Sequence, residues 1–265
     1  MGVDRGVLRL CQPAAGWYLR LVGVVRISRT ADSWESRAVG SRKARTLLAL
    51  LGTQRSNVVT TDEVIKALWD SAPPHEPEAN VATLVSRLRG RFGKDAVLGG
   101  RSGYQLGDSI RVDLDDAAAL VEKAESLAGT AQPAHGLLVA EQAMKVLGDV
   151  PVLADHPAAS WVENARATQD SLLSRAWHAA ADNALRTGAP RLAQALAETL
   201  IAKNRVDEAA YRVLMRACVI GGDSGRAIAT YQRLRAALAV AYKREPDART
   251  QDLMVEILRT DAATG

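Results

Sequence analysis

The sequence is short of the residues from which most chemical sites are built. Its two cysteines, Cys11 and Cys218, have no ligand-like spacing. That excludes a cysteine-rich metal centre and reads as two free thiols in a reducing compartment. His75, His135, His156 and His178 stand singly, none three or four residues from another, so no histidine metal site is expected. No apolar run reaches the roughly 18 residues of a membrane helix. Charges at Asp4, Arg5 and Arg9 also break up the stretch where a signal peptide would lie. A phosphate loop of the Gly-Lys-Ser/Thr type is missing: Gly99-Gly100-Arg101-Ser102-Gly103 has no lysine and opens no helix. No Ser/His/Asp arrangement can be nominated. An enzyme is therefore not expected, nor a cofactor, nor a metal.

Aromatics are scarce, with a single Phe, and Ala and Leu dominate the second half, a bias toward helical packing. Acid is missing from one place in particular. Between Ala79 and Lys94 there is no Asp or Glu, while Arg87, Arg89, Arg91 and Lys94 are cationic. In the same stretch Val81, Leu84, Val85, Leu88 and Phe92 recur at the spacing of one helix face, a narrow buried stripe. Opposite them fall Ala79, Thr83, Ser86, Arg87 and Gly90, with Arg89 and Arg91 on the flanks. A helix face made only for solubility mixes acids with bases. Small residues instead permit close approach, and arginines suit phosphates or guanine edges. The pattern predicts a helix that enters the major groove of DNA.

Charge is unevenly divided along the chain. Residues 1–112 carry 17 Lys/Arg against 10 Asp/Glu, and the remainder 17 against 20. A basic first half joined to a mildly acidic second half fits a nucleic-acid module coupled to a part with another task. Chance asymmetry between two ordinary domains is the alternative.

In chain order, residues 1–17 read as a loose tail. Leu19, Leu21, Val25 and Ile27 then alternate with polar residues, which predicts two strands broken near Gly23, followed by a turn and a short strand at Trp34–Val39. Ser41 caps a helix running to about Gly52, whose first turn carries Arg42, Lys43 and Arg45. The helix dipole disfavours cations there, and a bound anion would reverse that penalty; a solvated helix start is the plainer alternative. Thr60 and Glu63 form a capping box for a helix burying Val64, Ile65, Leu68 and Trp69. Trp69 reads as core packing, with ligand stacking the other option. Prolines at 73, 74 and 77 then interrupt the chain ahead of the basic helix. Ala96–Leu98 and Tyr104–Leu106, around a Gly-rich turn led by Arg101, predict a β-hairpin. Three helices followed by a hairpin, the third helix basic, describe a winged helix-turn-helix.

The ordered motifs Gly40-Ser41-Arg42-Lys43-Ala44-Arg45, Ala67-Leu68-Trp69, Val85-Ser86-Arg87-Leu88-Arg89 and Gly103-Tyr104 resemble the DNA-binding half of the Streptomyces antibiotic regulatory protein family. That half is similar to the OmpR-type winged helix. The resemblance covers residues 18–112 as a DNA-binding domain.

From Asp113 to residue 260 the pattern is almost wholly helical. Leu114–Leu127 and His135–Leu147 read as an antiparallel pair, and Ser160 with Glu163 as a further capping box before a long helix ending near Gly188, with an earlier start after His156-Pro157 as the alternative. Trp177 and Tyr211, Ala180 and Leu214, Gly188 and Gly222, and Ala193 and Ala227 are each 34 residues apart, the tetratricopeptide period. Tyr231–Arg235 and Glu245-Pro246 resemble the bacterial transcriptional activator domain of the same family. At Ala241-Tyr242-Lys243-Arg244 the sequence departs from the Leu-Gly type turn of that family. The fold expected is mainly α, a winged helix-turn-helix followed by an all-α repeat domain.

The resemblance implies a sequence-specific transcriptional regulator, an activator that binds direct repeats near promoter −35 regions. It further implies recruitment of RNA polymerase with its sigma factor, in genes for secondary metabolites such as antibiotics. Two protomers would meet on the DNA through the helical domain, in the cytoplasm at the nucleoid. By position, Thr83, Ser86, Arg87 and Gly90 face the groove, with Asn80 near its entry. Arg89 and Arg91 flank it, and Arg42, Lys43 and Arg101 are candidates for the DNA backbone. A protein-interaction scaffold, with the winged helix as a binding module, is the alternative from another class. A fragment of a larger ATPase- or phosphopeptide-controlled regulator is the less favoured variant.

Overall fold

A computed structural model describes residues 16–29, 40–55 and 57–264, apart from the side chains of 261–264. The expected strand at Trp34–Val39 and nearly all of the N-terminal tail lie outside these residues. The chain divides into two compact units, one drawn from Met1–Ala118 and Lys145–Leu172, the other from Ala119–Met144 and Leu173–Gly265.

In the first unit, β1 (Trp17–Arg20) and β2 (Arg26–Ser28) pair antiparallel on either side of Gly23. The alternating residues Leu19, Leu21, Val25 and Ile27 are all fully buried, which is why the chain takes this register. Trp17, assigned to the tail from sequence, begins β1, and its indole meets Phe92 edge-on with ring centroids 4.9 Å apart. Next come α1 (Arg42–Thr53), β3 (Val59–Thr60), α2 (Thr61–Trp69) and α3 (Pro77–Phe92). β4 (Val97–Gly100) and β5 (Gly103–Leu106) form the hairpin, with β3 pairing to β5. β6 (Ile110–Val112) returns to lie parallel to β1. β3 and β6 were not anticipated, being too short to show alternation.

The caps explain where these helices begin. Ser41 accepts from the Ala44 N–H, and Thr60 and Glu63 form the full reciprocal box. Of the residues expected in the core of α2, Val64 and Leu68 are buried, whereas Ile65 and Trp69 are only half-buried.

Asp113 is the polar centre of this unit. Its carboxylate, 2% exposed, accepts from the N–H groups of Leu21, Val22 and Leu114 at 2.9–3.0 Å. A later segment adds to the same region: Val22 bridges Val152, and the Leu153 and Ala154 N–H groups bond the carbonyls of Leu21 and Gly23. Gln169 secures that segment, accepting from Val152 N–H at 2.7 Å and donating to the Leu147 and Val150 carbonyls.

Among the described residues the remaining helices are α4 (Asp113–Ala128), α5 (Pro133–Leu147), α6 (Ser160–Arg186), α7 (Pro190–Lys203), α8 (Glu208–Ile220), α9 (Ser224–Tyr242) and α10 (Ala248–Thr264). The capping box read at Ser160 does not form. The Glu163 N–H bonds the Ala159 carbonyl, and the Glu163 carboxylate pairs with Arg166 at 2.8 Å.

The second unit shows the 34-residue repeat directly. Ala180 and Leu214, and Ala193 and Ala227, are fully buried, and Gly188 and Gly222, both with positive φ, lie in the turns after α6 and α8. At the divergent corner Lys243 occupies the left-handed region (φ 52°, ψ 39°) as C-cap of α9. Arg244 pairs with Glu208 at 2.8 Å, and the other Glu208 oxygen accepts from the Asp247 N–H. A charged contact thus replaces the small turn residue.

Candidate nucleic-acid interface

The face of α3 is set by its burial. Val81, Leu84, Val85, Leu88 and Phe92 are its buried residues, the full stripe read from sequence. Ala79, Asn80, Ala82, Thr83, Ser86, Arg87, Gly90 and Arg91 are exposed. Pro77 opens the helix with no side-chain cap, and the Asn80 amide donates to the Glu76 carbonyl at 2.7 Å. The Thr83 hydroxyl bonds back to the Ala79 carbonyl at 2.9 Å, leaving its oxygen lone pairs outward. At Gly90 an added Cβ would meet nothing within 4 Å, so this chain's own packing does not require glycine there.

The hairpin is tied to the helices at both ends. Arg89 donates to the Val97 carbonyl at 2.8 Å and to the Gly99 carbonyl at 2.9 Å. At the tip, the Thr61 hydroxyl of α2 donates to the Arg101 carbonyl at 2.9 Å, while the Arg101 side chain is exposed. Gly99 has φ 94°, and a Cβ there would collide with the Gly103 carbonyl oxygen, so the tight return needs glycine. Arg55 supports the outgoing strand, donating to the Ile110 carbonyl and pairing with Asp108 at 3.2 Å.

The residues singled out from sequence therefore separate. Asn80, Thr83, Ser86, Arg87, Gly90 and Arg91 share the exposed side of α3, and Arg101 stands on the hairpin held to it. Arg89 is on the same helix with its guanidinium turned to the hairpin backbone. Arg42 and Lys43 line a cleft with Trp69, His156 and Trp161. The Lys43 ammonium donates to the Leu68 carbonyl at 2.9 Å and lies 4.5 Å over the Trp69 ring. Burial, and then the neighbouring Arg42 charge, pull its pKa below the usual lysine range. Arg87 and Arg101 form no side-chain ion pair among the described residues. Sequence reading missed the parts played by Thr61, Arg55 and Asp113. Only Asp113 left a signal, an acid directly after an apolar strand and before a helix.

With this geometry in hand, the comparison with known proteins is direct. Residues 112–258 match the family described as bacterial transcriptional activator domain, abbreviated BTAD. The chain belongs to this family. As a BTAD protein it is similar to regulatory protein AfsR of Streptomyces griseus, 30% identical over 257 residues, 94% of this chain and 25% of that one. The chain thus spans about a quarter of the length of AfsR. It is also similar to transcriptional regulatory protein MoaR1 of Mycobacterium tuberculosis, 28% identical over 232 residues, 83% of this chain and 73% of the relative. A solved structure of Mycobacterium tuberculosis EmbR, in complex with a low-affinity phosphopeptide, shares the fold with a TM-score of 0.77. That match is 22% identical and covers 92% of this chain and 65% of EmbR. The relatives are regulators of transcription. The chain joins a winged helix to the matched BTAD region, the fold it shares with the EmbR structure.

Proposed function

We propose that this BTAD protein is a sequence-specific DNA-binding regulator whose α3 lies in the major groove. The observation that carries the reading is the division of α3. Its whole apolar stripe is buried, and the opposite face is small, hydrogen-bonding and free of acid from Ala79 to Lys94. Arg87, on one side of that face, is the base-reading residue, with Thr83 and Ser86 across the face and Asn80 near its entry. Gly90 lets the helix backbone approach the groove. Arg91 and Arg101 contact phosphates on either side. Arg89 is assigned to holding the hairpin at a fixed angle, and Lys43 to holding α1 on α2.

In the same reading the BTAD repeat supplies protein contacts, with RNA polymerase and between protomers on directly repeated sites. Its second unit leaves Val240, Tyr242, Val255 and Leu258 exposed, apolar surface suited to partners. The function proposed is activation.

The test is titration of the full chain onto duplexes selected from a random pool, at several salt concentrations. A groove-reading helix gives a selected site that binds at least about 1,000-fold tighter than scrambled DNA, with a linear log–log salt dependence. Absence of salt-dependent duplex binding sinks the proposal.

A further inference from the structure

Away from the exposed face of α3, the first unit holds a second feature with a chemical logic of its own. A cleft of about 520 Å³ is walled by Arg42, Lys43, Leu68, Trp69, His156 and Trp161. All six belong to that one unit, and the volume is in the range of small-molecule sites.

Its apolar walls are fixed in place. Trp69 and Trp161 are half-buried, so each leaves indole surface facing the cleft. Lys43 holds Trp69 from one side, with its ammonium bonded to the Leu68 carbonyl. His156 meets Trp161 edge-on at 5.7 Å, and is itself held by Asp155 at 3.0 Å and by Thr46 at 3.5 Å. Rigid, partly exposed indoles are the usual platform for a flat ring.

The charges are unbalanced. Arg42 and Lys43 stand together at the start of α1, whose first turn has no acid. Among the lining residues Asp70 is the single acid. Arg42 is exposed and has no side-chain partner among the described residues. Asp70 itself is strained: with φ 52° and ψ −113°, it sits in a tight turn closed by the Ala72 N–H on the Trp69 carbonyl, a conformation that favours glycine. Such strain concentrates at ligand-binding positions.

We propose that this cleft binds a planar aromatic carboxylate, its ring against the Trp69 and Trp161 indoles and its carboxylate on the Arg42 guanidinium. An inorganic anion would have no use for the indoles, and a neutral aromatic none for Arg42. Arginine matches a carboxylate with two parallel N–H donors, which gives the ligand one orientation. The stretch of cations at the start of α1 then has its counter-ion.

The experiment uses the full chain labelled with ¹⁵N and three probes: 1-naphthoate, neutral 1-naphthalenemethanol, and inorganic phosphate. Indole N–H signals are assigned with single Trp→Phe variants. Saturable shifts of Trp69 and Trp161, with Trp177 unmoved, are expected for naphthoate, with affinity about tenfold or more above that of the alcohol. Phosphate alone should leave both indoles where they are. R42A should reduce naphthoate affinity to that of the alcohol, and R42K should restore part of it. W161A should abolish saturation; if that variant loses helical circular dichroism, the R42A result decides. The proposal is overturned by equal binding of acid and alcohol, by phosphate acting as well as naphthoate, or by R42A leaving the affinity unchanged. It is equally overturned if an acidic peptide outcompetes naphthoate at the same indoles, which would make the cleft a protein dock.

Discussion

Arg89 of α3 donates from Nε to the carbonyl of Val97 at 2.8 Å, and its second arm reaches the Gly99 carbonyl at 2.9 Å. One guanidinium thus clamps the helix to the first strand of the hairpin. Two charge-assisted bonds on a half-buried side chain are worth about 2 kcal/mol together. R89A should lose that much stability in urea unfolding and should weaken DNA binding by loosening Arg101. In a double-mutant cycle, R101A should cost less in the R89A background than in the natural chain. Additive effects, or lost affinity with unchanged stability, would return Arg89 to direct DNA contact.

Gly90 gives a cleaner separation of fold from function. An added methyl touches nothing in this chain. G90A should therefore raise helix stability by about 1 kcal/mol while lowering duplex affinity, because the methyl stands between α3 and the groove. Thermal unfolding and binding titration read the two effects independently. A variant that is more stable and binds equally well would mean the backbone at 90 does not approach DNA.

Asp113 links stability to pH. Burial pushes its carboxyl up to about 6, against the opposing pull of the Val22 and Leu21 N–H groups, Arg20 and the Leu114 N–H. A raised acid pKa means the folded state holds the proton more tightly than the unfolded one. The stabilisation is complete below about pH 4 and is lost as pH rises through about 6, a change of about 3 kcal/mol. D113N has no such titration. Its stability relative to the natural chain should rise between pH 4.5 and pH 7.5, measured by urea unfolding at each pH. A difference independent of pH would contradict this.

Lys243 pays a conformational cost in the left-handed region that Gly would not. K243G should stabilise the chain by about 1 kcal/mol, seen as a higher urea midpoint with an unchanged slope. No gain would place the compensation in the Arg244–Glu208 pair.

The amphipathic helices were the most legible part of the sequence, because a 3.6-residue period is carried by many residues at once. The stripe on α3 is recovered to the residue, and the Thr60–Glu63 box forms as written. Short strands were not: β3 spans Val59–Thr60 and β6 Ile110–Val112, and their pairing is fixed by partners far along the chain. The capping pattern at Ser160 misled because the helix already includes Ser160, the Glu163 N–H being taken by the Ala159 carbonyl.

At the candidate site, sequence spacing grouped all the cations near the DNA. It has no means of showing which are already engaged. Lys43 and Arg89 each donate to backbone carbonyls brought close only by folding. Trp69, read chiefly as core, instead shares a cleft with Trp161, a residue 92 positions later.

The most direct test of the DNA-reading helix is R87A, measured on the selected duplex and on every single-base-pair change of it. If Arg87 reads a base, discrimination falls by about 1–3 kcal/mol at one or two positions only, with the salt slope nearly unchanged. Uniform weakening at all positions, or no change at any, would contradict a base-reading Arg87 and with it the docking of α3 in the major groove.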